Sequence, residues 1–378
     1  MKIAFFNGFH LPHTGGVENY TENLARELKN LDHEIVIITT NHANLAPREV
    51  TKNYQIFRLP TRKIFKNRFP FPRKDHEFRE IIDEIKQQDL DLFICNTRYF
   101  FTTPLGLNLA KLAQKPAIVI DHSSDFVSVS NKFLDFFGHI YEKYLTSKIK
   151  KFSPEFYGVS AKTNEWLARK FHITARGILY NSIDAREFEK YKNDTFCEID
   201  SREINIVYIG RILREKGVEN LLTAFSGLAK KYQNVELFIG GDGPLLAEVR
   251  ANFRDPRIHF LGKLPHDEVM ALNNSAQIFA HPSMYPEGLP TAILEAGLMK
   301  CAVVATDRGG TCEVINSDKV GLICAENSDD LRKKLEFLIE HPREIAKMGE
   351  NLHNRIARNF AWSVTARKLD DIIKGENA

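Results

Sequence analysis

Short apolar runs alternate with longer stretches of helical period along the whole sequence. Residues 18–31 and 76–88 carry the helical period. The apolar runs are IAFF (3–6), EIVIITT (34–40), LDLFIC (90–95), PAIVID (116–121) and EFYGVS (155–160), and then INIVYIG (204–210), VELFIGG (235–241), IHFLG (258–262), AQIFAHP (276–282), AVVAT (302–306) and GLICA (321–325). Buried strands that alternate with helices predict parallel sheets covered on both faces.

The two series of runs are separated by a polar segment, residues 186–203. A chain of 378 residues also exceeds the usual size of one hydrophobic core. We therefore predict an α/β protein of two Rossmann-like, doubly wound domains, residues 1–185 and 186–359. Ligands of such sheets bind beyond the carboxyl ends of the strands, so two facing sheets would line a central cleft with their loops.

Composition narrows the function classes. The net charge of +3 is too small to predict a nucleic-acid partner. The five cysteines are scattered and form no C-x-x-C, which argues against a disulfide framework or a zinc site and favours a reducing compartment. The N-terminus becomes polar too early for a signal peptide, and no apolar run approaches the ~20 residues of a spanning helix. We expect a cytoplasmic protein that contacts membranes at most peripherally.

The loops after the predicted strands hold the candidate chemistry. Gly15 and Gly16 follow the first strand, but their segment does not fit G-x-G-x-x-G, which argues against a dinucleotide-dependent dehydrogenase. Arg211 and Lys216 follow strand 204–210 and precede a helix. A guanidinium and an ammonium suit a diphosphate because they neutralise its charge. A solvated surface pair is the alternative interpretation.

The segment YPEGLPTAILEAG (285–297) adds carboxylates and a helix start. We expect Pro290 at the first helical position, with Glu287 before the helix and Glu295 inside it. Unpaired N–H groups at a helix N-terminus attract anions, and carboxylates accept hydrogen bonds from paired sugar hydroxyls. A nucleotide diphosphate sugar has phosphates in its middle and sugars at both ends. It therefore suits a site where cations and a helix N-terminus lie beside carboxylates at one end of a sheet.

With these motifs the sequence resembles the retaining glycosyltransferases of GT-B fold, in the family named glycosyl transferases group 1. The E-x7-E pattern of Glu287 and Glu295 is the signature of that family. The other matching segments, spread over nearly the entire chain, are residues 15–40, GVSAKTN (158–164), NSID (181–184), GRILREKG (210–217), GGDGP (240–244), FLGKLPHDEV (260–269) and RGGTCEVI (308–315). Two departures are Ser182, where glycine is usual, and Ala302, where proline is common.

The resemblance implies roles for the donor-site residues. Arg211 and Lys216 would hold the diphosphate and stabilise the leaving group. Glu287 would contact the transferred sugar, the backbone at Gly288, Leu289 and Pro290 would meet the phosphates, and Glu295 would bind the ribose.

The resemblance also assigns residues outside this donor set. His122 matches the family histidine near the reacting sugar, although a loop histidine that caps the next segment is the alternative. Gly16 matches a glycine that lets the backbone approach the donor. A last helix, about residues 360–378 with Trp362, would cross back onto the first domain.

The implied activity is sugar transfer from a nucleotide diphosphate sugar to a glycan or polyprenyl-linked acceptor, in bacterial polysaccharide, lipopolysaccharide or glycolipid assembly. The resemblance implies retention of the anomeric configuration and transfer of a hexosyl or N-acetylhexosaminyl group without a cofactor. We also expect no metal, because the one D-x-D, Asp89-Leu90-Asp91, precedes a strand rather than following one. The alternatives are a GT-B epimerase, a phosphorylase, or a catalytically silent scaffold.

The acceptor side offers a membrane hypothesis. The stretch RKIFKNRFPFPRK carries six basic residues and three phenylalanines without an acid, which suits an anionic bilayer on the cytoplasmic side. These residues are Arg62, Lys63, Phe65, Lys66, Arg68, Phe69, Phe71, Arg73 and Lys74. Residues 131–152 add an aromatic face with a basic end. A solvated loop and an ordinary core helix are the alternative interpretations of the two stretches.

Overall fold

A computed structural model describes residues 1–13, 15–62, 70–126, 132–200, 202–285 and 288–375 of the chain. The chain forms two compact units. The first comprises Met1–Asn181 and Trp362–Ala378, and the second comprises Ser182–Ala361. The first boundary lies four residues before the position expected from the sequence, and the second lies two residues after it.

The first unit is a doubly wound α/β unit. Its strands are β1 (Lys2–Phe6), β2 (Glu34–Thr40), β3 (Arg48–Val50), β4 (Gln55–Leu59), β5 (Thr61–Arg62), β6 (Phe71–Pro72), β7 (Leu92–Asn96), β8 (Ala117–Asp121), β9 (Glu155–Gly158) and β10 (Gly177–Ile178). Its helices before the boundary are α1 (Gly16–Asn30), α2 (His76–Lys86), α3 (Thr102–Ala113), α4 (Lys132–Lys150) and α5 (Ala161–Phe171).

The main sheet of this unit has the order β10-β9-β8-β7-β1-β2-β4-β3. Its strands pair parallel, apart from β3, which runs antiparallel to β4. Successive residues of β1 point to opposite faces, so Ile3 and Phe5 enter one apolar cluster while Ala4 and Phe6 enter the other. Burial on both faces explains why the strands are continuous apolar runs.

The strand β4 was missed by the apolar pattern because a charged residue interrupts it. Arg58 is buried within this strand. Its guanidinium donates to Glu49 Oε2 at 2.5 Å and to the Ala46 carbonyl at 3.0 Å. An ion pair with Glu49 of the adjacent strand β3 therefore makes an arginine acceptable in the sheet.

The second unit repeats the architecture with a parallel sheet of order β13-β12-β11-β14-β15-β16. Its strands are β11 (Ile204–Ile209), β12 (Val235–Gly240), β13 (Ile258–Gly262), β14 (Ile278–His281), β15 (Ala302–Thr306) and β16 (Leu322–Cys324). Its helices are α6 (Glu187–Tyr191), α7 (Val218–Lys231), α8 (Leu246–Asn252), α9 (His266–Ser275), α10 (Thr291–Leu298), α11 (Thr311–Val314), α12 (Ser328–Glu340) and α13 (Pro342–Asn359).

The last described helix, α14 (Trp362–Lys374), belongs to the first unit, where it packs against α1. Trp362 is buried with its ring edge-on to Tyr20, at a centroid distance of 5.1 Å. His33 Nε2 lies 3.0 Å from Asp370 Oδ1, which adds a buried polar contact. The chain therefore ends in the unit in which it begins.

Candidate functional site

The carboxyl edge of the second sheet has a switch point between β11 and β14. From β11 the chain continues to β12 on one side, whereas β14 is followed by β15 on the other side. The loops after β11 and β14 therefore leave the sheet side by side and diverge, which is where open α/β sheets bind ligands. Arg211 and Lys216 follow β11, and residues 282–290 follow β14.

The loop after β11 presents both predicted cations at this edge. Arg211 is exposed, and its carbonyl accepts a hydrogen bond from the Tyr208 hydroxyl at 3.0 Å. Lys216 closes a short 3-10 turn, Arg214–Lys216. Its Nζ lies 5.1 Å from the ring centroid of Tyr285, in the loop after β14.

The next residue, Gly217, allows the two loops to touch. Its φ of +71° is left-handed, and a Cβ there would lie 1.9 Å from the carbonyl oxygen of Pro282. Any side chain at this position would push the loop after β11 away from the loop after β14.

Backbone hydrogen bonds join three loops of the second unit. Met284 N donates to the Glu215 carbonyl at 2.8 Å, which ties the loop after β14 to the loop after β11. Gly310 N, in the loop after β15, donates to the Gly288 carbonyl at 2.7 Å. The predicted cations and the predicted phosphate-binding backbone therefore belong to one connected group of loops.

The predicted phosphate contacts lie at the N-terminus of α10. The helix begins at Thr291, and Pro290 is the extended cap residue, so the prediction that Pro290 occupies the first helical position is wrong by one residue. Pro290 also has no N–H, so it cannot donate to a phosphate. The amides that remain are those of Gly288, Leu289 and the first helical turn, and Glu287 lies outside the described residues.

Glu295 lies on α10, one turn beyond its start, where it is partly buried. Burial raises the pKa of its carboxyl group to about 7, against a smaller lowering by His266. His266 Nε2 lies 2.9 Å from Glu187 Oε1, and this contact raises the pKa of the imidazole. The sequence pattern around His266 and Glu187 gives no sign of this site, because only the fold brings α6 and the start of α9 beside α10.

The first unit presents His122 at the carboxyl end of β8. Its Nε2 lies 3.0 Å from Asn96 Oδ1, at the end of β7, and its ring stands edge-on to Tyr20 at 4.7 Å. Desolvation lowers the pKa of the imidazole to about 4, so the ring is neutral at pH 7. The other residue predicted for this unit, Gly16, is the first of α1, and no described atom lies within 4 Å of the position of a Cβ there.

A buried ion cluster next to His122 was missed by sequence analysis. Arg98 is fully buried and donates to Asp121 Oδ2 at 2.8 Å and to Glu142 Oε2 at 2.5 Å. Its guanidinium also faces the rings of Trp166 at 4.3 Å and Phe171 at 4.5 Å. The carboxylate of Asp121 is therefore neutralised inside the protein directly before His122.

Only part of the predicted membrane stretch is described. Arg62, Arg73 and Lys74 are exposed around the β5–β6 hairpin, whereas Lys63, Phe65, Lys66, Arg68 and Phe69 lie outside the described residues. Phe71 lies edge-on to Tyr141 of α4 at 6.4 Å, so the hairpin adjoins this helix.

The helix α4 presents an exposed apolar face and a buried face. Leu145 and Ile149 are buried, and Glu142 pairs with Arg98. The exposed large apolar side chains are those of Phe133, Leu134, Phe136, Phe137, Ile140 and Tyr144. The interpretation of this stretch as an ordinary core helix is therefore wrong for its aromatic face.

Two searches of the described residues bear on metals and membranes. No group of three or more His, Cys, Asp or Glu side chains in the described ranges is arranged to hold a metal ion. Within the same ranges, no helix combines the length and the apolar character needed to span a bilayer.

Two protein-family models match the chain. The model described as glycosyl transferases group 1 matches residues 190–355, and the model described as glycosyltransferase family 4 matches residues 14–187. An uncharacterised glycosyltransferase of Methanocaldococcus jannaschii is 26% identical over 386 residues, covering 99% of this chain and 98% of that protein. A phosphatidylinositol N-acetylglucosaminyltransferase subunit of Arabidopsis thaliana is 25% identical over 381 residues, covering 98% of this chain and 81% of the relative.

Among solved structures, Anabaena HepE in complex with UDP superposes with a TM-score of 0.74 at 16% identity, covering 99% of this chain and 100% of that chain. This likeness shows the GT-B fold. The two family models together extend over nearly the entire sequence. The chain is therefore a glycosyltransferase, similar to group 1 over residues 190–355 and to family 4 over residues 14–187.

Proposed function

We propose that this glycosyltransferase takes a hexosyl or N-acetylhexosaminyl group from a nucleotide diphosphate sugar and transfers it with retention of the anomeric configuration. The observation that carries the proposal is the connected group of loops at the switch point of the second sheet. The loop of Arg211 and Lys216 is tied there to the loop that leads to Gly288 and the start of α10.

In this proposal Arg211 and Lys216 bind the diphosphate, together with the amides of Gly288 and Leu289 and the positive end of α10. Glu287 accepts hydrogen bonds from the transferred sugar, and Glu295 binds the ribose. HepE, which has a similar fold, was solved in complex with UDP, and this supports a nucleotide sugar as the donor.

The chemistry requires stabilisation of a departing diphosphate. Glycosyl transfer passes through an oxocarbenium-like transition state, in which the diphosphate gains negative charge as the glycosidic bond breaks. Fixed cations and amide dipoles stabilise that charge more than they stabilise the ground state, which is the condition for rate enhancement. We infer that Arg211 and Lys216 supply this stabilisation without a metal ion.

Retention is proposed to proceed by attack from the face that the diphosphate leaves. A double displacement would need a free carboxylate nucleophile. The carboxylate nearest to His122 in sequence, Asp121, accepts two hydrogen bonds from the buried Arg98 and is thus held away from such a role. His122 contacts the reacting sugar as a neutral imidazole.

We place the acceptor on a lipid at the cytoplasmic face of a membrane, with a glycolipid, a lipopolysaccharide or a lipid-linked polysaccharide as the product class. The exposed apolar face of α4 adjoins the basic hairpin through the contact of Phe71 with Tyr141. Aromatic side chains beside cations suit the boundary of an anionic bilayer. The Arabidopsis relative is, by its name, a transferase for phosphatidylinositol, which supports a lipid acceptor.

The experiment that tests the donor site is a thermal-shift panel with UDP, GDP and ADP and their sugars. A nucleotide that binds the folded protein raises its melting temperature by mass action. We expect one nucleotide to shift the wild-type protein and the Lys216→Ala variant to lose the shift. The control is Lys230→Ala, because Lys230 lies at the opposite end of α7, is exposed, and carries the same charge.

Turnover separates transfer from the alternatives. The nucleotide sugar selected by the panel is incubated with and without detergent-solubilised lipid extract. We expect product only in the presence of the extract, and we expect it to keep the donor's anomeric configuration. Turnover should fall by about 100-fold or more in Lys216→Ala and in Glu287→Ala, while the fold stays unchanged. Conversion of the donor without an acceptor would indicate an epimerase. Cleavage that depends on phosphate would indicate a phosphorylase, and binding without turnover would indicate a catalytically silent scaffold. Near-normal turnover in both variants would refute the site.

A further inference from the structure

A chain of hydrogen bonds in the first unit links helix α1 to His122. It runs through the side chains of Thr21, Asn7 and Asn96, which are all fully buried. Asn7 follows β1, Asn96 ends β7 and His122 follows β8, and these strands are neighbours in the sheet order. The parallel sheet therefore places the three side chains in a row at its carboxyl edge.

The direction of the chain is determined at Thr21. The hydroxyl of Thr21 carries one hydrogen, which it donates to the Val17 carbonyl one helical turn earlier, at 2.9 Å. Its oxygen can then only accept further hydrogen bonds. Asn7 Nδ2 lies 2.9 Å and Asn96 Nδ2 lies 3.0 Å from this oxygen. Both amide nitrogens must therefore face Thr21.

The orientation of Asn96 in turn determines the proton on His122. Asn96 Nδ2 also donates to Asn7 Oδ1 at 2.9 Å, so a flipped amide would place its oxygen against two acceptors. The amide oxygen of Asn96 consequently faces His122, at 3.0 Å from Nε2. Because that oxygen can only accept, Nε2 must carry the hydrogen.

The remaining ring nitrogen of His122 is left as an acceptor. Burial lowers the pKa of the imidazole to about 4, so the ring has no second proton at pH 7. The ring is half-buried, and Nδ1 has no hydrogen-bond partner among the described residues. A lone pair at Nδ1 accepts a hydrogen bond from a hydroxyl and repels the oxygens of a carboxylate or phosphate.

We propose that Thr21, through Asn96, locks His122 in the Nε2–H tautomer, so that Nδ1 recognises a hydroxyl group of the sugar. Asn96 and Thr21 are then positioning residues, since they act through His122. The proposal rests on the proposed function only in taking that hydroxyl to belong to a substrate of sugar transfer. The tautomer itself follows from the contacts within the first unit.

The test is nitrogen-15 NMR of the full chain with labelled histidine, with the His122 signals assigned by their loss in His122→Gln. We expect a protonated Nε2 and an unprotonated Nδ1 in the wild-type protein from pH 6 to 8. Thr21→Val keeps the size and removes the acceptor shared by Asn7 and Asn96, so the two amides can flip together and the Nδ1 signal moves toward the protonated range. Thr21→Ser is the matched control, because it keeps the hydroxyl and should keep the wild-type signals.

Stability controls accompany these variants, since a purely structural role would change unfolding without changing the tautomer. If Thr21→Val fails to fold, Asn96→Ala replaces it, and we expect the same loss of a single tautomer. A wild-type His122 that carries its proton on Nδ1, or a tautomer unchanged in both variants, would overturn the relay while leaving sugar transfer intact. The expected tautomer in a protein that binds no nucleotide sugar would support the relay and refute the proposed function.

Discussion

At the scale of single residues, the structure separates side chains of the same type by their surroundings. Glu295 is partly buried, with a pKa of about 7, close to His266 and Glu187. Glu268, on the first turn of α9, is exposed. Residue type alone therefore does not determine the pKa of the Glu295 carboxyl group, because desolvation by the fold raises it.

Replacing Glu295 by glutamine should stabilise the free protein in a pH-dependent way. The folded carboxyl group has a pKa raised from 4.5 to about 7, so the folded state holds a proton that the unfolded state releases between these values. The free energy of unfolding therefore falls as pH rises through this window, by on the order of 3 kcal/mol at pH 8. Glu295→Gln removes that penalty, and urea denaturation at pH 5 and pH 8 measures it.

Glu268→Gln is the control for this experiment, because the Glu268 side chain is exposed and the substitution removes the same charge. We expect it to match the wild-type protein at both pH values. A Glu295→Gln variant whose stability differs from wild type by the same amount at pH 5 and pH 8 would contradict the buried carboxyl group. Nucleotide binding measured on the same variant then reports on the ribose contact.

At the scale of elements, α4 and the β5–β6 hairpin form the surface that the membrane hypothesis needs. Residues 133, 137, 140 and 144 recur at helical spacing, and all four are large, apolar and exposed. Phe133 and Phe137 contact each other edge to face, at a centroid distance of 4.9 Å. An exposed face of this kind favours an apolar partner surface.

Serine at Phe133 and Phe137 together should weaken binding to anionic vesicles. A buried phenylalanine contributes about 1.5–3 kcal/mol, so losing two should lower the partition coefficient at least about 100-fold. Co-sedimentation with anionic and with zwitterionic vesicles measures the effect. Phe337→Ser is the matched control, since Phe337 is an exposed phenylalanine on α12 of the second unit.

The basic hairpin is tested in the same assay. Each cation near an anionic surface contributes about 1 kcal/mol, and salt screens this contribution. Neutralising Arg62, Lys63, Lys66, Arg68, Arg73 and Lys74 should therefore weaken binding to anionic vesicles only. Unchanged binding in this variant and in the double serine variant would rule out the membrane surface.

At the scale of the whole molecule, the chain leaves the first unit at Asn181 and returns to it at Trp362. The helix α14 completes the core of that unit through Trp362, which contacts Tyr20 of α1. The contact of His33 with Asp370 joins the same two parts of the chain. The stability of the first unit thus depends on residues at both ends of the sequence.

Trp362→Ala should destabilise the first unit selectively. Truncating a buried tryptophan costs about 3–5 kcal/mol, because it removes apolar contact and leaves a cavity. We expect faster amide hydrogen exchange in α1 and unchanged exchange in α7, measured by mass spectrometry. Trp362→Phe keeps an aromatic ring against Tyr20 and should lose less protection. Equal loss of protection in α1 and α7 would contradict this division of the chain.

The sequence by itself determined the fold class and most strands, because strands buried on both faces are continuous apolar runs. It also pointed to Arg211, Lys216 and the segment 285–297, because these residue types follow strands. Only the tertiary structure decided that an ion pair accommodates Arg58 in β4 and that the Glu295 carboxyl group is desolvated. It alone also arranged Thr21, Asn7, Asn96 and His122 into one chain of hydrogen bonds. These features depend on strand order and packing between distant segments, and a local pattern carries no information about either.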